Sequence, residues 1–149
     1  MLKTVYIAGP ISKGDLCENI NQATRAFVEL ARAGLAPFCP HWSVYSKQCY
    51  RPVEDNSDLD GYFDEEEIIC KATVGGSDQI TRSDWLNIDF SWLVKADAVL
   101  RLPGDSDGAD LECALAKAKN IPVFDSVEEV IKYCKSSTAR GVMSGYSMS

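Results

Sequence analysis

Two carboxylates in this chain occupy positions that stability alone explains poorly. Glu112 lies in SDGADLECALAKA (106–118), which runs from a polar, glycine-containing turn directly into a helix. Asp89 lies in the middle of another predicted helix, between Ile88 and Phe90, where an aspartate without a role costs helix stability. If both carboxyl groups converge on one crevice, one as nucleophile and one as proton donor, they have what cleavage of a glycosidic bond requires.

The position of Glu112 relative to the helix start predicts its charge. If the helix begins near Gly108, Glu112 lies in or next to the first turn, where the helix dipole favours an anion. We therefore expect an ionised carboxylate, as a nucleophile must be. Backbone N–H groups at 106–109 and the Ser106 hydroxyl could hold a phosphate beside it. Acidic residues are also common in first helical turns for stability alone, which is the alternative.

A second glycine-containing turn, AGPISKG (8–14), follows the first predicted strand and offers Ser12 and Lys13 to an anion. It matches neither a Walker A loop nor GxGxxG, so an ordinary strand-to-helix connection is the alternative. Tyr6 lies on that strand, where it either packs in the core or orients a carboxylate by hydrogen bonding.

The remaining metal-binding residue types do not form a metal-site pattern. His41 is the single histidine, and we expect a hydrogen-bonded structural role for it. Asp97, just before a predicted strand, is explained as a cap or turn residue. The six cysteines contain no CxxC pair, which argues against a zinc ribbon or a thioredoxin-type site and favours reduced thiols, several of them in the core. They stand at positions 17, 39, 49, 70, 113 and 134.

The acidic stretch NSDLDGYFDEEE (56–67) resembles a calcium-binding EF-hand loop in its spacing. Pro52 interrupts the required entering helix, and IICKATVGG makes a poor exiting one. A solvated acidic loop is therefore favoured, with a calcium-responsive protein as the alternative. The matching positions, with Asn in the first place, are Asn56, Asp58, Asp60, Gly61 and Glu67.

Length, charge and hydropathy bound the class of protein. A chain of 149 residues suits one domain. Its net charge of −7 opposes nucleic-acid binding, which rests on neutralising phosphates. No apolar run reaches the roughly 18 residues of a membrane span, and MLKTVYIAGP has no signal-peptide layout. We therefore expect a cytoplasmic protein without a membrane partner.

Strands alternate with helices along the chain, which predicts an α/β fold with a mostly parallel sheet of four or five strands. We expect a three-layer Rossmann-like or flavodoxin-like domain over residues 1–136, followed by a flexible or partner-docked tail at 137–149. Expected caps are Gly34, Ser83 and the Ser126–Glu129 pair. The predicted strands are 4–9, 35–40, 98–103 and 121–124, and the predicted helices are 18–34, 82–97, 108–120 and 126–135.

Ligands of such sheets bind outside the carboxyl ends of the strands. Those ends are AGPISKG and PGDSDGA, so both glycine-rich turns should open on one crevice. On these segments, VYIAGPIS together with DFSWLVKADAVLRLPGDSDGADLECALAKAKNIPVF resembles the nucleoside 2-deoxyribosyltransferase-like superfamily, within it most closely the nucleoside 5′-monophosphate N-glycoside hydrolases. The resemblance covers residues 4–14 and 82–124.

The resemblance implies a role for each matching position. Glu112 falls on the nucleophile that attacks the anomeric carbon, and Asp89 on the aspartate that assists departure of the base by proton transfer. Tyr6 falls on the tyrosine that positions the nucleophile. No metal or organic cofactor is implied, and a homodimer or larger homo-oligomer is. The implied substrate-binding residues are Gly9, which lets the backbone approach the ligand, with Ile11, Ser12, Lys13, Ser106 and Gly108.

Ser106 discriminates between two activities within this resemblance. Transferases that accept free nucleosides have an aspartate for the 5′-hydroxyl there, whereas the monophosphate hydrolases have a phosphate-binding serine. Ser106 therefore favours a (deoxy)nucleoside 5′-monophosphate, hydrolysed to free base and (deoxy)ribose 5-phosphate. Lys13 stands where an arginine is expected, and Asp107 suits the anion site only if it points to solvent. Base exchange by a transferase and a non-catalytic nucleotide-binding module are the alternatives.

Overall fold

Four parallel strands form the sheet at the centre of this computed structural model, in the order β2-β1-β3-β4. The structure describes residues 1–43 and 81–144, with side chains as far as 136, and the element numbers cover those residues. The acidic stretch 56–67 and its calcium-like spacing lie outside them. The elements are β1 Thr4–Ala8, α1 Leu16–Arg32, β2 Ala36–Phe38, a 3₁₀ turn Pro40–Trp42, α2 Arg82–Leu93, β3 Ala98–Arg101, α3 Asp107–Ala118, β4 Val123–Phe124 and α4 Val127–Ser144.

The sheet is covered on both faces, which gives three layers. Alternate residues of each strand point to opposite faces, so Val5 packs with α1 and α4 while Tyr6 packs with α2 and α3. Both faces of β1 are therefore buried, as an apolar strand in a parallel sheet requires. This order with all-parallel pairing is the flavodoxin-like arrangement of a Rossmann-type fold, and it confirms the predicted fold class.

Side-chain caps fix the starts of the helices. Asp15 caps α1 by accepting a hydrogen bond from the N–H of Glu18. At the other end of α1, Gly34 adopts φ +82°, the left-handed conformation that glycine favours after a helix. Ser126 accepts from the N–H of Glu129 at the start of α4, as the sequence predicts.

Two predicted helix ends differ from the structure. The cap of α2 is Thr81 rather than Ser83, because Thr81, two residues earlier, forms a reciprocal capping box with Asp84. The last helix continues to Ser144, well beyond the predicted end near Lys135. Small and polar residues such as those in this region are tolerated in a helix that has already been nucleated.

No helix within the described residues is long and apolar enough to cross a membrane.

Candidate active site

The loops that follow β1 and β3 meet beyond the carboxyl ends of these strands. Lys13 Nζ of the first loop lies 3.0 Å from the Asp105 carboxylate and 3.4 Å from that of Asp107. Gly104 packs so closely on the first loop that an added Cβ would lie 2.9 Å from Pro10 Cγ. The two glycine-rich turns therefore share one crevice, at the point where the strand order reverses and ligands of such sheets bind.

Tyr6 and Glu112 are joined by a buried hydrogen bond at this crevice. Tyr6 points from β1 toward α3, and its hydroxyl donates to Glu112 Oε1 at 2.8 Å. Tyr6 is 1% exposed and Glu112 6% exposed. Burial, reinforced by the negative charge of Glu112, raises the pKa of Tyr6 far above its usual value. Tyr6 is thus a neutral donor at every physiological pH.

Glu112 is less acidic than the sequence predicts. It lies in the second turn of α3 rather than at its start, where the influence of the helix dipole has faded. Burial is the largest influence and raises the pKa of Glu112 to about 7, helped by the negative charge of Asp89. The bond from Tyr6 and the charge of Arg101 act in the opposite direction. A pKa of about 7 leaves Glu112 only partly ionised at neutral pH, because the loss of hydration on burial opposes the carboxylate form.

Asp89 lies on α2, half-buried, near Tyr6 and Glu112. Burial raises the pKa of Asp89 to about 6. Its charge raises the pKa of both Tyr6 and Glu112, so the three groups form one electrostatic cluster. The structure thus brings together the three side chains on which the predicted chemistry depends. A pair of carboxyl groups with raised pKa values can hold a single proton near neutral pH.

Arg101, which no motif in the sequence indicates, belongs to the same cluster. It is the last residue of β3 and its guanidinium donates to Gly104 O and to Asp110 Oδ1, both at 3.0 Å, and to Leu102 O. The signal in the sequence is a charged residue at the carboxyl end of the buried run AVLR, where ligand-binding residues of these folds occur.

Ser106 and Lys13 are the predicted phosphate ligands, and Lys13 reaches across to the aspartates on either side of Ser106. The Ser106 hydroxyl caps α3 by accepting from the N–H of Ala109 at 3.2 Å, which leaves its own proton available to a ligand. Gly108 follows in the first turn, where helical N–H groups lack intrahelical acceptors. Asp107 is exposed and pairs with Lys13, so that lysine is shared with two aspartates. Ser12 is exposed on the same loop.

Gly9 has a packing reason to be glycine. A Cβ there would lie 2.9 Å from Leu102 Cβ and 3.4 Å from His41 Nε2, which the core could not accommodate without moving. His41 is fully buried, with Nε2 3.1 Å from the carbonyl oxygen of Pro10, and burial lowers its pKa to about 4. The predicted structural role of His41 is confirmed. Ile11 is half-buried, and its carbonyl oxygen accepts from Asn19 Nδ2 at 3.1 Å.

An aromatic row leads from the carboxylate cluster to solvent. Tyr6 stacks on Phe38 at 5.7 Å between ring centroids, and Phe38 stacks on Trp92 at 5.6 Å. Trp92 lies on α2, three residues after Asp89, so the two share a helix face. Trp92 is 55% exposed, and Lys95 Nζ lies 5.6 Å from its ring. A planar ligand that reached Asp89 could contact this row.

The other candidates are structural. Asp97 accepts hydrogen bonds from the backbone N–H of Thr4 at 2.8 Å and from the Thr4 hydroxyl at 3.2 Å, and so joins the starts of β1 and β3. Cys39, Cys113 and Cys134 are buried thiols. Across residues 1–43 and 81–144, no three side chains of metal-binding type come together.

Among known proteins, the similarity found for this chain is to a solved structure. No family model matches the chain, and neither does any curated protein. A solved structure that it resembles is the 2-deoxyribosyltransferase of the psychrotolerant bacterium Bacillus psychrosaccharolyticus. The identity is 18%, the alignment covers 80% of this chain and 69% of the other, and the TM-score is 0.48. Similarity at this level does not transfer an activity from one protein to the other.

Proposed function

We propose that this chain hydrolyses the N-glycosidic bond of a nucleoside or deoxynucleoside 5′-monophosphate. The products would be the free base and ribose or deoxyribose 5-phosphate. The observation that carries the proposal is the buried 2.8 Å bond from Tyr6 to Glu112, with the Asp89 carboxyl in the same cluster. Two carboxyl groups beside a neutral tyrosine donor, at the ligand-binding edge of the sheet, suit glycosidic bond cleavage.

In the first step a Glu112 carboxylate oxygen attacks C1′ of the sugar. The new C1′–O bond makes a glycosyl ester as the C1′–N bond breaks, and the base leaves with the bonding electrons. Asp89 supplies a proton to the departing base. Tyr6 orients the nucleophile, because its hydrogen bond fixes one oxygen of the Glu112 carboxylate and leaves the second oxygen to attack.

In the second step water attacks C1′ and Glu112 leaves as a carboxylate. The Asp89 carboxylate formed in the first step accepts the proton of that water, so both carboxyl groups return to their starting states. The productive form of the pair therefore has one proton, located on Asp89. Positive charge that develops at C1′ in the transition state favours this form, because it stabilises the Glu112 anion beside it.

The α3 start supports a 5′-phosphate on the substrate. Ser106 retains a hydroxyl proton for a phosphate oxygen, and N–H groups in the first turn of a helix lack intrahelical acceptors and favour an anion. Lys13 would add positive charge once the phosphate competes with Asp105 and Asp107 for it. The aromatic row supports the base, because planar rings bind nucleobases by stacking.

Two alternatives lead to different observations. A transferase would use the same Glu112 intermediate but pass the sugar to a second base instead of water. A non-catalytic module would bind nucleotides without turnover. The buried Tyr6–Glu112 pair favours catalysis over the second alternative, because a carboxylate with a pKa of about 7 costs stability that binding alone does not require.

The test is a chromatographic screen of common ribonucleoside and deoxyribonucleoside 5′-monophosphates and their free nucleosides, with Glu112→Gln as the matched control. We expect one monophosphate to release its base, and the variant to release none. If the protein instead acts on free nucleosides, and faster when a second base is added, its activity is base transfer and not hydrolysis. If the wild-type chain binds a nucleotide but releases no base, the protein is a nucleotide-binding module and not an enzyme. The oligomeric state, which we propose to be a homodimer or larger, is measured on the same sample by light scattering.

A further inference from the structure

Arg101 combines a largely buried side chain with contacts both to the loop that carries Ser106 and to the helix that follows it. It ends β3 opposite Ala8 of β1, and its side chain is only 16% exposed. Its acceptors are the carbonyl oxygens of Leu102 and Gly104 and the carboxylate of Asp110. A guanidinium with this many acceptors has one orientation, since each bond fixes the planar fork further.

These contacts fix the position of the β3–α3 loop, residues 102–106. The carbonyls of Leu102 and Gly104 belong to the loop, whereas Asp110 belongs to the first turn of α3. Arg101 therefore ties the loop to the helix that follows it. Gly104, at φ +115°, adopts a backbone conformation that only glycine takes readily, and its carbonyl oxygen is one of the atoms that Arg101 contacts.

The charge of Arg101 also reaches the centre of the cluster. It lowers the pKa of Glu112, in opposition to burial and to the charge of Asp89. The other groups that face Glu112 are the Tyr6 hydroxyl from β1 and the Asp89 carboxyl from α2. Among the described residues, Arg101 is thus the cation that acts on Glu112.

We propose that Arg101 is a positioning residue of this site, which fixes the β3–α3 loop and supplies the positive charge against which the Glu112 carboxylate forms. The inference rests on the proposed function for its catalytic consequence. Its electrostatic part concerns the protein alone and can be measured without substrate.

The first experiment is a carboxyl ¹³C NMR titration of the full chain, in which Glu112→Gln identifies the Glu112 signal. We expect Arg101→Gln to raise the midpoint of the Glu112 titration by about half a pH unit or more, and Arg101→Lys to raise it less. Arg25→Gln, which removes an exposed α1 arginine that pairs with Glu18 at 3.6 Å, should leave it unchanged. An unchanged midpoint in Arg101→Gln overturns the inference.

Asp110→Asn provides a second variant, on an exposed side chain, in case Arg101→Gln does not fold. Removing this carboxylate releases the Arg101 charge from its partner, so the Glu112 midpoint should fall. A midpoint that stays or rises contradicts the inference.

The second experiment is the pH profile of kcat/KM for Arg101→Gln with the monophosphate that the screen identifies. We expect a loss of about 3-fold to 10-fold on the acidic side that recovers as the pH rises, because the carboxylate still forms at higher pH. An equal loss at every pH would overturn the electrostatic part of the inference and leave Arg101 with the fixing of the loop alone. A shifted NMR midpoint in a protein that cleaves no nucleotide would instead overturn the proposed function and leave the Arg101–Glu112 coupling established.

Discussion

The Tyr6 hydroxyl and the Glu112 carboxylate form a 2.8 Å hydrogen bond between groups 106 positions apart in the sequence. Strand β1 supplies the donor and helix α3 the acceptor, and both side chains are buried at the edge of the sheet where ligands bind. The bond lowers the pKa of a carboxyl group whose burial raises it. This opposition makes Glu112 ionisable near neutral pH, and the first predictions concern it.

Tyr6→Phe should slow turnover and shift its pH dependence. Loss of the hydroxyl removes the bond that orients Glu112 and favours its ionised form, so we expect kcat to fall about 10-fold to 100-fold. The acidic limb of the profile should move to higher pH. Tyr133→Phe, on α4 on the opposite face of the sheet, serves as control. Unaltered kcat and profile in Tyr6→Phe would rule out the positioning role.

Glu112→Gln should stabilise the protein at alkaline pH and have little effect in acid. The pKa of Glu112 is raised from 4.5 to about 7, so the folded state favours the protonated group and loses stability as the pH rises through 7. A glutamine cannot ionise and escapes this loss, which is about 1–3 kcal/mol at pH 8. Urea unfolding of both proteins at pH 5 and pH 8 measures the difference in their free energies of unfolding. A difference that is equal at the two pH values would show that Glu112 titrates normally.

Gly9→Ala should destabilise the fold by about 1–3 kcal/mol, because the added methyl group meets Leu102 Cβ at 2.9 Å and His41 at 3.4 Å. Gly108→Ala is the matched control, since its nearest neighbour is 4.0 Å away. Thermal unfolding compares the two variants. Equal melting temperatures would mean that Gly9 is not required for packing, which would leave close approach of a ligand as its reason.

Ser106→Asp and Ser106→Ala separate capping from phosphate binding. Aspartate caps a helix as well as serine does, so only the alanine variant should lose stability, by about 1 kcal/mol. Aspartate repels a phosphate, so Ser106→Asp should raise KM for a 5′-monophosphate far more than Ser106→Ala does. Urea unfolding and steady-state kinetics give the two readings. If the KM of Ser106→Asp matched that of the wild-type chain, the phosphate would bind elsewhere.

Trp92→Ala should weaken binding of the base without affecting the sugar phosphate. Loss of one stacking ring costs about 1–3 kcal/mol per base, so KM should rise about 10-fold, whereas inhibition by ribose 5-phosphate should not change. Tyr133→Ala removes another partly exposed aromatic ring, which packs at a tilt against Phe124 with the ring centroids 5.2 Å apart, and should change neither KM nor the inhibition by ribose 5-phosphate. Equal weakening of both ligands by Trp92→Ala would place the base away from the aromatic row.

Local patterns predict the fold of the described residues well. Apolar strand runs, glycine turns and helical spacing lead to an α/β fold with a parallel sheet, and each described strand lies within its predicted range. Strand β1 is short and apolar on both faces, which is a pattern that few other environments produce. Ser83 was a reasonable cap by residue type, but Thr81 lies three residues before Asp84 and so forms the reciprocal box.

The site was predicted less completely, because its chemistry depends on contacts between distant segments. Residue type and position identify Glu112 and Asp89, but the pKa of Glu112 follows from how deeply β1 and α2 bury it. Arg101 contributes through bonds to a loop whose path the sequence does not specify. Phe38 and Trp92 meet only because α2 packs beside the end of β2. Such electrostatic and aromatic contacts become visible in three dimensions.

The most direct test of the central claim is rapid-quench mass spectrometry of the protein during turnover of the identified monophosphate. Acid quenching followed by digestion should yield a Glu112-containing peptide heavier by one sugar phosphate, and Glu112→Gln should yield none. Such an adduct is the covalent intermediate in which Glu112 holds C1′. Base release without any adduct on that peptide, continuing in Glu112→Gln, would contradict the account.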